Sequence, residues 1–181
     1  MTINTEHLND LPWHTFSKWL NSTESEFWLD RISNSIQWER PVVNLYGKKY
    51  VVPRLSYFLA EEGINYKYSG INHYGNGWPD WFIPLLSKVN IKCKTNFNGC
   101  LLNLYRNGND RMGWHSDNEP ELDSSKPIAS LSLGSDRDFF MRNKYNKFKK
   151  VITLCSGDLL IMEPICQIKW EHSLPVRKKI L

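Results

Sequence analysis

The apolar residues in the first half of the chain repeat at helical spacing in two stretches and alternate at strand spacing between them. Thr23 and Glu26 form a capping-box pattern ahead of apolar residues at near-helical intervals, which predicts a first helix. Two apolar runs joined by a glycine-containing turn predict a hairpin over residues 41–52. Pro79 and the apolar residues after it predict a second helix that extends to about Asn90.

From residue 98 onward the apolar residues fall into short runs separated by turn signals, which is typical of a β-rich fold. The predicted strands cover residues 100–106, 113–117, 128–133, 138–143, 150–154, 159–162 and 168–173. Short strands at such regular intervals predict a β-sandwich or jelly roll. Together with the two N-terminal helices, this pattern makes the predicted fold class α+β.

The length of the chain and the position of its first predicted helix indicate one domain that follows a short N-terminal arm. A chain of 181 residues is long enough to bury one sizeable core. Residues 1–21 are expected to form a loosely ordered N-terminal arm, and residues 22–181 a single domain. Within that domain, residues 22–97 would hold the helices and the hairpin, and residues 98–181 the β-rich core.

Composition adds a weak indication of a polyanionic partner. The chain is 41% hydrophobic and 23% charged, which is ordinary for a soluble globular protein. Its aromatic content of 13% exceeds what most cores need, and nucleic-acid-binding proteins use surplus rings to stack bases. A net charge of +4 and a pI near 8.8 are compatible with nucleic acid as a partner.

Nothing in the sequence predicts export or membrane insertion. Residues 1–10 are polar and lack the apolar segment of a signal peptide, and no apolar run approaches membrane-spanning length. The four cysteines show no C-x-x-C spacing, so neither a zinc cluster nor a disulfide framework is indicated. We therefore expect an intracellular monomer, in the nucleus or cytoplasm, with reduced thiols and no membrane association.

The sequence motif that carries chemistry is His-x-Asp, at His115 and Asp117. In an extended segment, residues two apart point to the same side, so this imidazole and this carboxylate lie next to each other. They supply two of the three protein ligands of a 2-His-1-carboxylate site, which holds Fe(II) and leaves positions open for a co-substrate and O2. His172, in a late predicted strand, is the candidate third ligand.

The residues around this motif extend it into a resemblance to a known family. The matching segments are 45–48, 52–54, 66–70, 103–108, 114–119, 127–134, 137–139, 157–162 and 170–175. In this order and at this spacing, over roughly residues 36–179, the chain resembles the AlkB-type Fe(II)/2-oxoglutarate dioxygenases, and especially their DNA-repair branch. The resemblance implies a double-stranded β-helix, or jelly roll, preceded by helices and a nucleotide-recognition hairpin that acts as a lid.

The resemblance also implies roles for particular side chains. The implied iron ligands are His115, Asp117 and His172, the implied 2-oxoglutarate-binding residues are Asn103 and Tyr105, and the implied substrate-binding residues are Tyr46, Arg54, Tyr66, Tyr68 and Glu119. Family chemistry consumes 2-oxoglutarate and O2, hydroxylates an N-alkyl carbon on a damaged base, and releases succinate, CO2 and formaldehyde. The base must leave the stack to reach a buried iron, which predicts a ring on one side of it and an iron-binding histidine on the other.

Within the implied substrate-binding set, each side chain has its own expected contact. Tyr68 is the stacking ring, with Tyr66 beside it and His115 on the other face of the base. Glu119 is expected at the Watson–Crick edge of the base, and Tyr46 is expected to act as a wedge that fills the vacated stack. Arg54 is expected to contact the pocket or the nucleic-acid backbone.

The chain departs from the family pattern at its end, and this keeps alternatives open. The family continues into a strand of the type Arg-x-Asn-x-Thr-Phe-Arg, which does not follow before Leu181. We therefore expect an incomplete core, an unpaired inner sheet edge and weak 2-oxoglutarate binding for the chain as given. The leading function is demethylation of 1-methyladenine- or 3-methylcytosine-type lesions in DNA. The alternatives are an RNA demethylase, or a catalytically weak remnant that binds nucleic acid.

Overall fold

The computed structural model describes residues 11–45, 47–68 and 70–177, with the backbone alone described for residues 43–45. Its helices are α1 Ser22–Ser35, α2 Ile83–Cys93 and α3 Pro164–Lys169. Its strands are β1 Trp13–Phe16, β2 Val42–Leu45, β3 Lys48–Val51, β4 Leu55–Ala60, β5 Asn65–Tyr68, β6 Ile71–Tyr74, β7 Gly99–Leu104, β8 Met112–His115, β9 Ile128–Leu131, β10 Arg137–Asn143, β11 Lys149–Leu154, β12 Leu159–Met162 and β13 Trp170–Leu174. Within these ranges, none of the helices has the length and apolarity to cross a membrane.

Two antiparallel sheets enclose the main core. One sheet has the strand order β11-β10-β13-β8, and the other has the order β1-β12-β9. Their inner faces meet in a cluster of buried side chains to which both sheets and α3 contribute: Trp13, Met141, Leu154, Leu160, Met162, Cys166 and Trp170. Within this cluster the Trp13 and Trp170 rings make an edge-on contact with centroids 4.8 Å apart. The architecture is therefore a β-sandwich, as the spacing of the short apolar runs predicts.

A second cluster joins the helices to the β4–β7 pair. It contains Leu20, Trp28, Ile32, Leu59, Phe82 and Leu85, with half-buried residues of β7 and β9 packed against it. The apolar side of α1 and the start of α2 thus cover strands next to the sandwich. This packing holds β7 in place, and β7 carries one of the predicted co-substrate residues, Asn103.

The prediction of a loosely ordered arm is wrong for residues 13–16. These residues form β1, which pairs with β12 in the register Trp13↔Met162 to Phe16↔Leu159. Trp13 is buried in the main core, and the Leu20 amide donates to the Gly157 carbonyl 3.0 Å away. The sequence interpretation failed here because the partner strand lies at the other end of the chain, where no local pattern reveals it.

The first helix begins earlier than its predicted capping box. The capping box is formed by Asn21 and Glu24, because the Asn21 side chain accepts from the Glu24 amide and the Glu24 carboxylate accepts from the Asn21 amide. Asn and Thr are both good caps, and the choice between them depends on where the preceding chain turns into the core. The structure also contains β4 and α3, which the apolar pattern did not predict.

Two hairpins lie outside the sandwich. Strands β2 and β3 form the hairpin predicted over residues 41–52, and β5 and β6 form a second one in the register Tyr66↔His73. Tyr46, the predicted wedge, lies outside the described residues, so its role stays a prediction. The β5–β6 hairpin carries Tyr66 and Tyr68, the predicted base-binding rings.

Candidate metal centre

Three side chains from two neighbouring strands converge in the manner that a metal ion requires. Strands β8 and β13 pair antiparallel with His115 directly opposite His172, and Asp117 follows β8 by two residues. One ligand atom from each of the three lies within 4.8 Å of the others. An Asp117 carboxylate oxygen is 3.6 Å from His115 Nε2, and the second oxygen is 3.5 Å from His172 Nε2. The structure thus brings together all three residues predicted as ligands.

Hydrogen bonds around the triad fix its orientation. His115 Nδ1 lies 2.9 Å from the Gly113 carbonyl oxygen, an acceptor that requires the ring proton on Nδ1. The Nε2 lone pair is then left for a metal, as expected of a histidine ligand with a backbone partner on its other nitrogen. The Asp117 amide donates to Gln167 Oε1 at 3.0 Å, so a short helix, α3, holds the backbone of the carboxylate ligand.

The pKa shifts in the triad favour its side chains as metal ligands over an ion pair between a charged histidine and Asp117. Burial, with smaller contributions from His115 and Lys144, lowers the pKa of the His172 imidazole to about 3. Burial also raises the pKa of the Asp117 carboxyl, against an opposing effect of His115. A neutral buried imidazole keeps its lone pair, and a buried carboxyl becomes easy to ionise once a cation lies beside it. Two imidazole nitrogens and one carboxylate oxygen are a donor set that fits Fe(II).

The two predicted co-substrate residues lie next to each other and face two guanidinium groups. Asn103 is in β7 and Tyr105 follows that strand directly. Arg54 Nε donates to Asn103 Oδ1 at 2.7 Å, and the Arg137 guanidinium lies over the Tyr105 ring, 5.5 Å from its centroid. Burial raises the pKa of the Tyr105 phenol to about 12, while both guanidiniums oppose that rise. The Asp117 carboxylate adds a small contribution to the rise in the pKa of this phenol.

Two of the predicted base-binding rings, Tyr66 and Tyr68, lie near β8 and the residues that follow it. The Tyr66 and Tyr68 rings are stacked with centroids 6.0 Å apart, and the Tyr68 hydroxyl donates to Met112 Sδ in β8 at 3.5 Å. Burial and the nearby charges of Glu119 and Asp117 raise the pKa of Tyr66. Burial raises the pKa of the Glu119 carboxyl as well. Glu119 Oε2 is buried and has no hydrogen-bond partner among the residues described.

Some residues of the site were missed by sequence reasoning. Phe139 stacks on the His172 ring with centroids 5.1 Å apart, and Gln167 holds the Asp117 backbone. Arg137 lies in the matching segment 137–139, and its Nη2 donates to the carbonyls of Asp110 and Pro175. No spacing rule reveals these contacts, because each depends on strand pairing or on the short helix α3.

The family of the chain follows from a comparison with protein-family models. The chain belongs to the 2OG-Fe(II) oxygenase superfamily, whose model matches residues 13–180. This membership confirms the expected cofactors, Fe(II), 2-oxoglutarate and O2, and the triad is a group of side chains that could hold the iron.

Curated relatives narrow the resemblance to the AlkB-type branch. The chain is 36% identical to the DNA oxidative demethylase ALKBH2 of Mus musculus over 151 residues, which is 77% of this chain and 62% of the relative. Identity to ALKBH2 of Homo sapiens is also 36%, over 77% of this chain and 56% of the relative. The alpha-ketoglutarate-dependent dioxygenase alkB homolog 3 of Rattus norvegicus is 35% identical over 84% of this chain and 54% of its own length. The chain thus spans little more than half the length of these relatives.

Solved structures confirm the predicted fold class. The structure of OsALKBH1 superposes with a TM-score of 0.63 at 16% identity, covering 95% of this chain and 87% of that one. A 2OG-Fe(II) oxygenase-family oxidoreductase from Burkholderia pseudomallei superposes with a TM-score of 0.59 at 11% identity, covering 94% and 81%. At these identities the likeness shows the fold alone, which is the jelly-roll β-sandwich.

Proposed function

We propose that this chain carries out Fe(II)- and 2-oxoglutarate-dependent oxidative demethylation of N-alkylated bases in DNA, of the 1-methyladenine and 3-methylcytosine type. The observation that supports it best is the combination of a metal triad with stacked rings and one buried carboxylate oxygen, Glu119 Oε2, that has no partner among the described residues. The triad His115, Asp117 and His172 alone is common to many oxygenases. Glu119 Oε2, which lacks a partner within the described residues, and the Tyr66–Tyr68 pair add a site suited to a planar base with a hydrogen-bond donor.

The metal and co-substrate would occupy the open side of the triad. Fe(II), with 2-oxoglutarate and O2, supplies the oxidising equivalents that convert the N-methyl carbon to formaldehyde while the co-substrate becomes succinate and CO2. The protein itself binds the metal ion and the co-substrate and orients them. His115, Asp117 and His172 hold the ion, and Asn103 and Tyr105 offer an amide and a phenol hydroxyl to the co-substrate.

The base would be held by stacking and by one charged acceptor. Tyr68 stacks on one face of the extruded base and His115 lies on the other, with Tyr66 supporting Tyr68. Adenine and cytosine both carry an exocyclic amino group, and an amino group can donate to the buried Glu119 Oε2 that lacks a partner within the described chain. Filling that acceptor would remove the cost of leaving it unsatisfied, which favours bases with this donor.

The hairpin of β10 and β11 is the proposed contact to the phosphate backbone. This hairpin carries five basic residues: Arg142, Lys144, Lys147, Lys149 and Lys150. Arg142 pairs with Glu171 at 2.8 Å, and Lys144 and Lys147 donate to backbone carbonyls. Lys149 and Lys150 are exposed and make no ion pair in the described ranges, so they are the two cations best placed for phosphate contacts.

The same pocket accepts a base from either polymer, so RNA is the second candidate substrate. We propose DNA first, because the ALKBH2 relatives from Mus musculus and Homo sapiens are named DNA oxidative demethylases. We also propose that the protein works as a monomer inside the cell, in the nucleus or cytoplasm.

The deciding experiment is formaldehyde release from oligonucleotides that carry a single methylated base. Release that requires Fe(II) and 2-oxoglutarate, and that is abolished in His115→Ala, supports the proposal, and the DNA-to-RNA rate ratio ranks the two polymers. Binding of the oligonucleotide without release, unchanged in His115→Ala, would instead support the catalytically weak remnant. Succinate formation that no methylated oligonucleotide stimulates would contradict a nucleic-acid substrate.

A further inference from the structure

Arg54 is a buried charged side chain whose partners lie inside the site. Only 5% of the residue is exposed, and its Nε donates to Asn103 Oδ1 at 2.7 Å. Its Nη2 lies 3.5 Å from the Tyr68 hydroxyl, and its guanidinium carbon lies 6.0 Å from the Tyr68 ring centroid. Arg54 directly precedes β4, and β4 pairs with β7 in the register Leu55↔Leu104, so backbone pairing carries Arg54 to the co-substrate strand.

The chemistry of a guanidinium determines which end of the Asn103 amide faces it. Arginine offers only N–H donors and stays protonated, so the group it contacts must be an acceptor. The Asn103 carbonyl oxygen therefore points to Arg54, and the Asn103 NH2 group points elsewhere. Without such a partner, the two ends of an asparagine amide can exchange by rotation of the side chain.

From this geometry we infer that Arg54 is a positioning residue, which turns the NH2 end of Asn103 toward a carboxylate of 2-oxoglutarate. The inference rests on the proposed function, because it takes Asn103 as a co-substrate contact. A carboxylate only accepts hydrogen bonds, so an asparagine turned the other way would present its oxygen to the carboxylate and repel it. Arg54 thereby removes the wrong orientation before the co-substrate arrives, which is preorganisation of the binding site.

A rival explanation is that the charge of Arg54 attracts the dianionic co-substrate without any help from Asn103. The guanidinium is near enough to Tyr105 to oppose the rise in the pKa of that phenol, so its charge does reach the site. The two explanations differ in how the effects of substitutions combine. A residue that acts through Asn103 has nothing left to orient once Asn103 is gone, whereas a charge effect survives that loss.

The experiment is a double-mutant cycle on 2-oxoglutarate binding, measured by calorimetry with Mn(II) in place of Fe(II) so that no turnover occurs. Arg54→Met and Asn103→Ala are each expected to weaken binding about tenfold, the effect of losing one charge-assisted hydrogen bond or its acceptor. The double variant is expected to stay within about threefold of Asn103→Ala. Losses that multiply to about a hundredfold would overturn the inference.

Two further variants serve as controls for the double-mutant cycle. Arg31→Met is the matched control, because Arg31 also lies over a ring, that of Trp81 at 5.5 Å, but belongs to α1. It is expected to leave 2-oxoglutarate binding unchanged. Arg54→Lys keeps the charge and replaces Arg54→Met if the latter does not fold. We expect it to weaken binding as well, because an ammonium on a flexible stem does not hold the amide in one orientation.

A second measurement is independent of the co-substrate and separates the inference from the proposed function. NMR of the metal-free protein, with the Asn103 NH2 signals assigned by their loss in Asn103→Ala, reports how rigidly the amide is held. The amide is expected to be ordered in the unmodified chain and mobile in Arg54→Met, and equal mobility in the two would overturn the inference. If the Mn(II)-loaded chain binds no 2-oxoglutarate, the proposed function fails, while the amide dynamics still decide the role of Arg54.

Discussion

His115 and His172 occupy directly opposed positions in the antiparallel β8–β13 pair, and their ring centroids lie 4.2 Å apart. Strand side chains alternate between faces, so a slip of one residue in this pair would turn one imidazole away from the other. The register is irregular beyond His172, where Leu174 pairs with Met112. The geometry of the candidate metal centre thus depends on the register of β8 and β13, and the core of the sandwich holds that register in place.

The triad makes the first prediction, which concerns metal affinity. His172→Ala is expected to weaken Mn(II) binding by at least about 100-fold, because it removes one of three protein ligands, a larger loss than that of a supporting hydrogen bond. Free Mn(II) measured by electron paramagnetic resonance during a titration provides the affinity. His14→Ala is the control, since His14 is 61% exposed and lies in β1. Equal loss in both variants would contradict the assignment of the site.

The second prediction concerns the stacking ring. Tyr68→Ala is expected to raise KM for a methylated oligonucleotide about tenfold or more, because base stacking on an aromatic ring contributes about 1–3 kcal/mol. Tyr68→Phe keeps the ring and loses the hydroxyl, with its contacts to Met112 and Arg54, so its KM is expected to stay within about threefold. Formaldehyde release at varied oligonucleotide concentration measures both. If Tyr68→Phe is as impaired as Tyr68→Ala, the hydroxyl rather than the stacking face is what matters.

The residues of the candidate metal centre could be singled out from the sequence because their chemistry is carried by residue type and by short spacing. His-x-Asp in an extended segment needs only the alternation of side chains along a strand. His172 could be named only as a candidate third ligand in a late predicted strand, because its approach to His115 depends on strand pairing that no local pattern reveals. The same difficulty hid β1, whose partner β12 is remote in sequence.

Contacts that depend on register were beyond sequence reasoning. Arg54 was expected to contact the pocket or the nucleic-acid backbone, and only the β4–β7 pairing reveals that its guanidinium is directed at Asn103. The support of Asp117 by Gln167 depends likewise on α3, a helix of 6 residues. So short a helix leaves almost no periodic pattern in the sequence.

The third prediction tests whether the N-terminal segment is part of the core. Gly157 has a φ of +87°, and a Cβ at this position would overlap the Leu20 carbonyl oxygen and lie 2.6 Å from Ser25 Oγ. Gly157→Ala is therefore expected to lower the free energy of unfolding by about 3 kcal/mol or more, combining backbone strain with overpacking. Chemical denaturation measures the change.

Gly63→Ala is the matched control for that substitution. Gly63 has a similar φ of +82°, but a Cβ there would meet nothing within 4 Å. Its expected cost is only that of the left-handed backbone conformation, about 1–2 kcal/mol. Equal costs at Gly157 and Gly63 would mean that the segment around Leu20 moves away without loss, contrary to its docking in the structure.

The fourth prediction is a pH dependence of stability that originates at His73. This imidazole packs against the rings of Phe58 and Tyr66, with centroid distances of 5.6 and 6.4 Å. Burial lowers its pKa from the usual 6.5, although Glu39 opposes the change. Below pH 6.5 the unfolded chain therefore binds a proton that the folded chain does not, so the free energy of unfolding falls as the pH drops from 6.5 toward the folded pKa.

His73→Phe is expected to remove this contribution. As the pH falls, the free energy of unfolding of the unmodified chain should therefore decrease more than that of the variant. One such group contributes at most about 1.4 kcal/mol per pH unit, so denaturation at about pH 7.5 and about pH 5.5 resolves the effect. The lowered pKa of His172 also makes the folded chain less stable at acid pH, whereas the raised pKa values of Asp117 and Glu119 have the opposite effect. The informative quantity is therefore the difference in unfolding free energy between the unmodified chain and the variant, and not the pH dependence of either chain alone. The exposed His14→Gln is the control. A His73→Phe profile parallel to that of the unmodified chain would show that the His73 ring gains a proton as readily in the folded state as in the unfolded one.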